Sequence, residues 1–238
     1  MRYLLITLLL IPLNCFAFGL GGPLDSVIEQ PAAPPSGDEC ANFIYCYNAE
    51  TGESTTEIST TGTGVNLGYS TTALRGAKAI RTDMTGALSD FTVTIDAEET
   101  VMFHMLFRES VISTSIVSLV EFYSGSTKVG NLSYTGGATD SFSITVGSLV
   151  SSFVYYDFAP DTTYHMYLLM NAATKTMYFY IAEAGTFTVP AALVSKVGNN
   201  TANTIDKIKF VGVGYSSGLY RFYDQLLIKG SYFGSVPE

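Results

Sequence analysis

One segment constrains the fold more than any other: residues 99–108, ETVMFHMLFR. Val101, Phe103, Met105 and Phe107 fall on one parity, and Met102, His104, Leu106 and Arg108 on the other. Side chains two apart point the same way only in extended backbone, so this is a strand with one wholly apolar face. The same period recurs in 90–97, 116–124, 129–134, 141–146, 152–158, 163–171, 176–182, 205–215 and 219–229, with shorter strands at 42–48 and 77–82. Turn residues divide these segments, among them Ser124-Gly125-Ser126, Gly136-Gly137, Pro160-Asp161 and Asn199-Asn200. Residues 51–64 read as a Gly/Ser/Thr-rich loop, and only 190–197, opened by Pro190, suggests a helical turn. A dozen or so short strands without helices must bury their apolar faces on one another. The expectation is an all-β, antiparallel two-sheet sandwich.

Composition supports a large core. Hydrophobic residues are 47% and charged residues 14% of 238, which suits one large sandwich rather than a charged helical bundle. The net charge of −9 is spread without a run of five like charges. That excludes the basic footprint a nucleic-acid partner requires.

The amino terminus reads as a secretory signal. Met1-Arg2 is positive, an apolar stretch follows, and Cys15-Phe16-Ala17 offers a cleavage site, giving a signal peptide over 1–17. The apolar run is short for a membrane span, and lipidation at Cys15 is a lesser alternative. Residues 18–41 form a Pro/Gly-rich leader, 42–230 the folded domain and 231–238 a tail. The expected location is secreted or extracytoplasmic, without a transmembrane segment after cleavage. Cys40 and Cys46 then remain as an even pair and are expected to form a disulfide. Two cysteines and two histidines far apart in sequence do not have zinc-ligand spacing.

Four stretches together resemble the concanavalin A-like (laminin G-like) jelly-roll superfamily: YCYNAETG at 45–52, STTALRGAKAIR at 70–81, YHMYLLMNAATKTMYFYIAEA at 164–184 and LYRFYDQLLIK at 219–229. The resemblance spans about 42–230. Glu183-Ala184-Gly185 stands where the family often has Asp-Gly, and Gln225 replaces a second Asp of the closing strand. It implies a jelly-roll sandwich and two sites. The first is a structural Ca²⁺ held by Glu50, by carbonyls near Gly52 and by Asp224; the competing reading has Asp224 bonding backbone amides without metal. By the alternation, Asp224 shares a face with Tyr220, Phe222, Leu226 and Ile228. The second is a concave sheet lined by His104, Arg108, Glu121, Tyr167, Tyr178, Tyr180, Arg221 and Tyr223, suited to stacking on sugars and bonding their hydroxyls. The ordinary alternative is cross-strand packing of tyrosines, and the lack of Trp weakens a sugar platform.

No catalytic set stands out. The acidic pairs Asp96/Glu98/Glu99 and Asp157/Asp161 lie at strand ends, and no Gln-x-His motif accompanies His104 or His165. The leading expectation is a secreted lectin-like module for a polysaccharide or glycoconjugate. A structural or adhesive protein without a glycan ligand is the alternative, and a degenerate polysaccharide lyase or glycosidase the third. Asn131-Leu-Ser and Asn199-Asn-Thr are glycosylation triplets that matter only in a eukaryotic host.

Overall fold

The computed structural model describes residues 43–47, 58–62, 64–69, 74, 78–83, 89–110, 116–136, 140–185, 191–212 and 220–230. The strands are β1 Tyr45–Tyr47, β2 Ile58–Thr61, β3 Val65–Tyr69, β4 Ala79–Asp83, β5 Asp90–Glu98, β6 Thr100–Glu109, β7 Val117–Ser124 and β8 Thr127–Thr135. They continue with β9 Ser141–Val146, β10 Leu149–Val150, β11 Val154–Tyr155, β12 Tyr164–Asn171, β13 Thr176–Glu183, β14 Val194–Val197, β15 Ile205–Phe210 and β16 Tyr220–Lys229. Among the described residues there is no helix, and none is therefore long and apolar enough to cross a membrane.

The strands form two eight-stranded sheets. The first runs β14-β13-β12-β6-β16-β4-β3, with β1 also paired to β16; the second runs β10-β9-β8-β7-β15-β5-β2, with β11 also on β9. Every pairing is antiparallel, β6 lying between β12 and β16. The all-β, two-sheet jelly-roll expectation holds.

Parity explains why the sheets stack. Val101, Phe103, Met105 and Phe107 of β6 enter one apolar cluster with Phe91 and Val93 of β5, Val120 and Phe122 of β7 and Ile208 and Phe210 of β15. Aromatic pairs join the layers: Phe103 lies 5.9 Å from Phe122 and 5.6 Å from Phe210, and Phe179 lies 4.9 Å from Phe142. Each fully buried Phe contributes roughly 1.5–3 kcal/mol of transfer free energy before entropy is counted.

Local readings fail where the alternation is too short to see. Residues 51–64 are not all loop: Ile58 packs on the core and Ser59, Thr60 and Thr61 complete an exposed edge strand on β5. Val194–Val197 is strand rather than helical turn, because Val194 is buried and the backbone pairs with β13; Pro190 lies outside the described residues. The 152–158 segment shrinks to two strand residues on β9.

Candidate functional site

The outward face of the first sheet can be read row by row from its register. Tyr178, Leu169, Met102 and Lys229 form one row, and Tyr180, Tyr167, His104, Leu227 and Cys46 the next. Ala182, His165, Leu106 and Asp224 form a third, and Arg108, Phe222 and Arg81 a fourth. Met102, Tyr167, Tyr180 and Leu227 make a second buried apolar cluster, with Phe43, Cys46, Leu169 and Tyr178 packed against it.

His104, Arg108, Tyr167, Tyr178 and Tyr180 thus meet on one face, as expected from their parity. Their exposure differs. His104 and Tyr167 are fully buried, Tyr180 nearly so, and Arg108 and Tyr178 half-buried. The chain's two histidines, distant in sequence, come together here. His104 Nε2 lies 2.9 Å from His165 Nδ1, so one ring donates and the other accepts. The Tyr167 ring packs 4.7 Å from that of His104, and Tyr178 and Tyr180 stack at 6.4 Å. At the far end the Arg108 guanidinium lies over the Phe222 ring at 5.5 Å. Arg81 covers the ring of Tyr220 at 4.8 Å and pairs with Asp83 at 2.9 Å. Arg108 has no carboxylate partner among the described residues.

Arg221 and Tyr223 do not line this face. A bulge between Asp224 and Leu227 shifts the register of β16 against β6. Before it, Phe222 and Asp224 point outward and Arg221 and Tyr223 inward; after it, Leu226 and Ile228 point inward. Asp224 therefore shares its face with Phe222 and Leu227, not with Leu226 and Ile228. Inside, Arg221 Nη1 donates to the carbonyl of Val211 at 2.7 Å, and Nε lies 3.5 Å from Glu109 Oε2, both side chains fully buried. Burial opposes the charge of Arg221, but Glu109 and Tyr223 outweigh it and hold the guanidinium above its ordinary value. Burial raises the Tyr223 hydroxyl. Sequence reasoning missed Glu109, although its parity with Val101 to Phe107 already places an acid on the apolar face of β6.

Glu121 belongs to the other sheet. It faces outward from β7, where it accepts from Tyr123 Oη at 2.6 Å and Lys128 Nζ at 3.0 Å. Burial raises its carboxyl, yet Tyr123 and Lys128 together bring it below the ordinary carboxylate value.

Of the expected calcium ligands, Glu50 and Gly52 lie outside the described residues, as does Cys40. Asp224 is 3% exposed. Burial, and then the charge of Asp224, push the Tyr47 hydroxyl up to about 12. No cluster of three or more His, Cys, Asp or Glu side chains able to hold a metal occurs among the described residues.

No family model matches the chain, and no curated protein does. Solved structures share its fold. The CBM2 module of the evolved Dit of Lactobacillus casei BL23 phage J-1 superposes with a TM-score of 0.53 at 11% identity, covering 81% of this chain and 98% of that one. The binding domain of botulinum neurotoxin DC in complex with SialylT gives 0.52 at 10% identity over 82% of this chain and 49% of that one. Lectin I-B4 from Griffonia simplicifolia, in its metal-free form, gives 0.50 at 8% identity over 75% and 94%. These likenesses define the class of fold: a concanavalin A-like jelly roll.

Proposed function

We propose that this chain is an extracytoplasmic carbohydrate-binding module whose ligand lies along the outward face of the first sheet. The observation that carries the reading is the pairing of a guanidinium free of any described carboxylate, Arg108, with a face rich in aromatic rings. Arg108 lies six positions along β6 from Met102, which is level with Leu169 and Tyr178. At ~3.3 Å per residue the two ends of the face are about 20 Å apart. That length matches several linked sugar rings better than one. Tyr178 offers a half-exposed ring and Arg108 a bidentate donor for hydroxyls or a carboxylate. His104, Tyr167 and Tyr180 are too buried to touch a ligand and act as the floor that holds Tyr178 in place. Titrating a glycan array with the wild type and with Arg108→Ala and Tyr178→Ala tests this. Binding of one polysaccharide class, weakened roughly tenfold by either change, is expected; no binding to any glycan removes the reading.

The burial of that floor favours one other reading, a structural or adhesive sandwich. A folded wild type that binds no glycan on the array would support it.

Export by the 1–17 signal, the Cys40–Cys46 disulfide and a structural Ca²⁺ on Glu50, Gly52 and Asp224 belong to the same proposal. The bonded state of Cys46 supports the second of these. The effect of Asp224 on Tyr47, close in sequence to Glu50, supports a meeting of those two stretches. Chelator should lower Tm if the cation binds the native state alone; an unchanged Tm removes it. Amino-terminal sequencing of exported protein and thiol titration check the other two.

A further inference from the structure

The described basic residues sort by sheet. Arg81, Lys128, Lys209 and Arg221 each meet a carboxylate. Lys207 donates to the Gly125 carbonyl at 3.2 Å, and Lys78 is not free either. Among the described residues, the basic side chains that meet no such acceptor are Arg108, Lys175, Lys196 and Lys229. All four lie on the first sheet or in the turn between β12 and β13. Arg108 and Lys229 share the outward face, one beside Phe222 and the other beside Met102 at the Tyr178 end. Lys175 adjoins that end from the turn, whereas Lys196 is paired with Met177 and takes the opposite parity. The described carboxylates of the face are already committed: Asp83 is paired with Arg81 at 2.9 Å, and Asp224 is buried. Glu98 comes from β5 of the other sheet. Its Oε2 would lie 3.6 Å from a Cβ on Gly230, yet it forms no ion pair with Lys229. A chain of net charge −9 thus keeps its unpaired cations on one side.

We propose that the ligand of this face is an acidic polysaccharide, its rings carrying carboxylates or sulfates, and that Arg108 and Lys229 each take one anionic group. The inference rests on the glycan reading and narrows it. The ring of Phe222 covers the Arg108 guanidinium at 5.5 Å, and its Nε is buried without an acceptor. A permanently charged, planar fork is completed by an anion that offers two oxygens; a sugar hydroxyl brings one oxygen and no charge. Lys229 supplies a second, point-like charge. It stands level with Met102, six positions along β6 from Arg108, or about 20 Å at ~3.3 Å per residue. A chain of linked acidic rings can reach both cations while one ring stacks on Tyr178. A neutral polymer would cover the same cations and leave them unpaired. The rest of the molecule is acidic and repels a polyanion, so capture depends on this face and not on overall charge.

Calorimetric titration with polygalacturonate and with dextran sulfate, each beside its uncharged counterpart, tests it. The counterparts are fully methyl-esterified polygalacturonate and dextran. At least one acidic polymer should bind roughly tenfold or more tightly than its counterpart, and added salt should weaken it. Which of the two binds separates carboxylate from sulfate. Arg108→Gln and Lys229→Gln should each weaken that binding roughly tenfold, with Tm close to the wild-type value. Arg108→Lys, which keeps the charge and loses the fork, should recover only part. Lys207→Gln, on the second sheet, changes the net charge equally and should leave binding unchanged. An uncharged polymer bound as tightly as its acidic form, through Tyr178, overturns the proposal and leaves the glycan reading standing. Acidic binding that Lys207→Gln weakens as much as Lys229→Gln also overturns it, since charge alone would then be the cause. No binding to either acidic polymer overturns it as well, and a blank glycan array in addition removes the reading beneath it.

Discussion

Two outward faces of the same sandwich, built on the same strand geometry, carry opposite chemistry. Across the second sheet the register aligns Ser59, Thr92, Lys209, Glu121, Asn131 and Thr145. Across the first it aligns Tyr180, Tyr167, His104, Leu227 and Cys46. The polar row satisfies itself: Glu121 is held by Tyr123 and Lys128, and Lys209 pairs with Asp90 at 2.5 Å. The aromatic row has closed into a small second core. A sheet needs one apolar face to fold, and the second sheet keeps to that minimum. The first sheet is apolar on both sides, and the excess is spent on that second core.

The largest effect should come from the interior they share. Arg221→Met leaves Glu109 buried without its cation and should cost about 3–5 kcal/mol, while Arg221→Met with Glu109→Leu should recover most of it; denaturant melts of the set measure this. A loss in the double variant equal to the sum of the Arg221→Met and Glu109→Leu losses would mean that the pair is not coupled.

Next comes the contrast itself. Met102→Ala should cost about 2–5 kcal/mol although Met102 faces away from the space between the sheets, because it is fully buried. Thr92→Ala, on the outward face of the second sheet, should stay within about 0.5 kcal/mol. Similar values for the two would erase the distinction between the faces.

Glu121→Gln should cost about 1 kcal/mol at neutral pH. The folded-state carboxyl lies below its ordinary value, so its contribution is complete above the ordinary carboxylate range. It is lost as pH falls through the lowered value. Wild type and variant should thus converge in Tm on acidification, and a gap that persists at low pH assigns the effect to packing.

The smallest expected change is His165→Gln, which keeps one hydrogen-bonding group near His104. It should cost about 1 kcal/mol by thermal melting, with Tyr178-dependent glycan binding preserved.

The legible part of the fold was the part governed by uninterrupted alternation. β6, β12 and β13 carry eight or more residues each, enough to separate their faces by parity alone. This placed His104, Arg108, Tyr167, Tyr178 and Tyr180 together. β16 is as long but has a bulge, and one extra residue inverts every assignment upstream of it. Arg221 and Tyr223 went to the wrong face for that reason. Glu121 failed differently: parity says which side of its own strand a residue takes, but not which sheet the strand joins. The meeting of His104 with His165 depends on the β6–β12 register, which no local pattern encodes.

The irregularity at Asp224–Leu227 also divides the closing strand into two stretches of unequal tolerance. A single-residue deletion at Phe222 would move every earlier residue of the strand one step and turn the Arg221 side chain out to water, whereas one at Gln225 removes the extra residue and leaves Asp224 outward and Tyr223 inward. The same deletion in a solvent-facing turn, such as that around Gly125, would merely shorten a hairpin. Which codon of β16 is lost therefore decides whether the buried guanidinium keeps its place between the sheets.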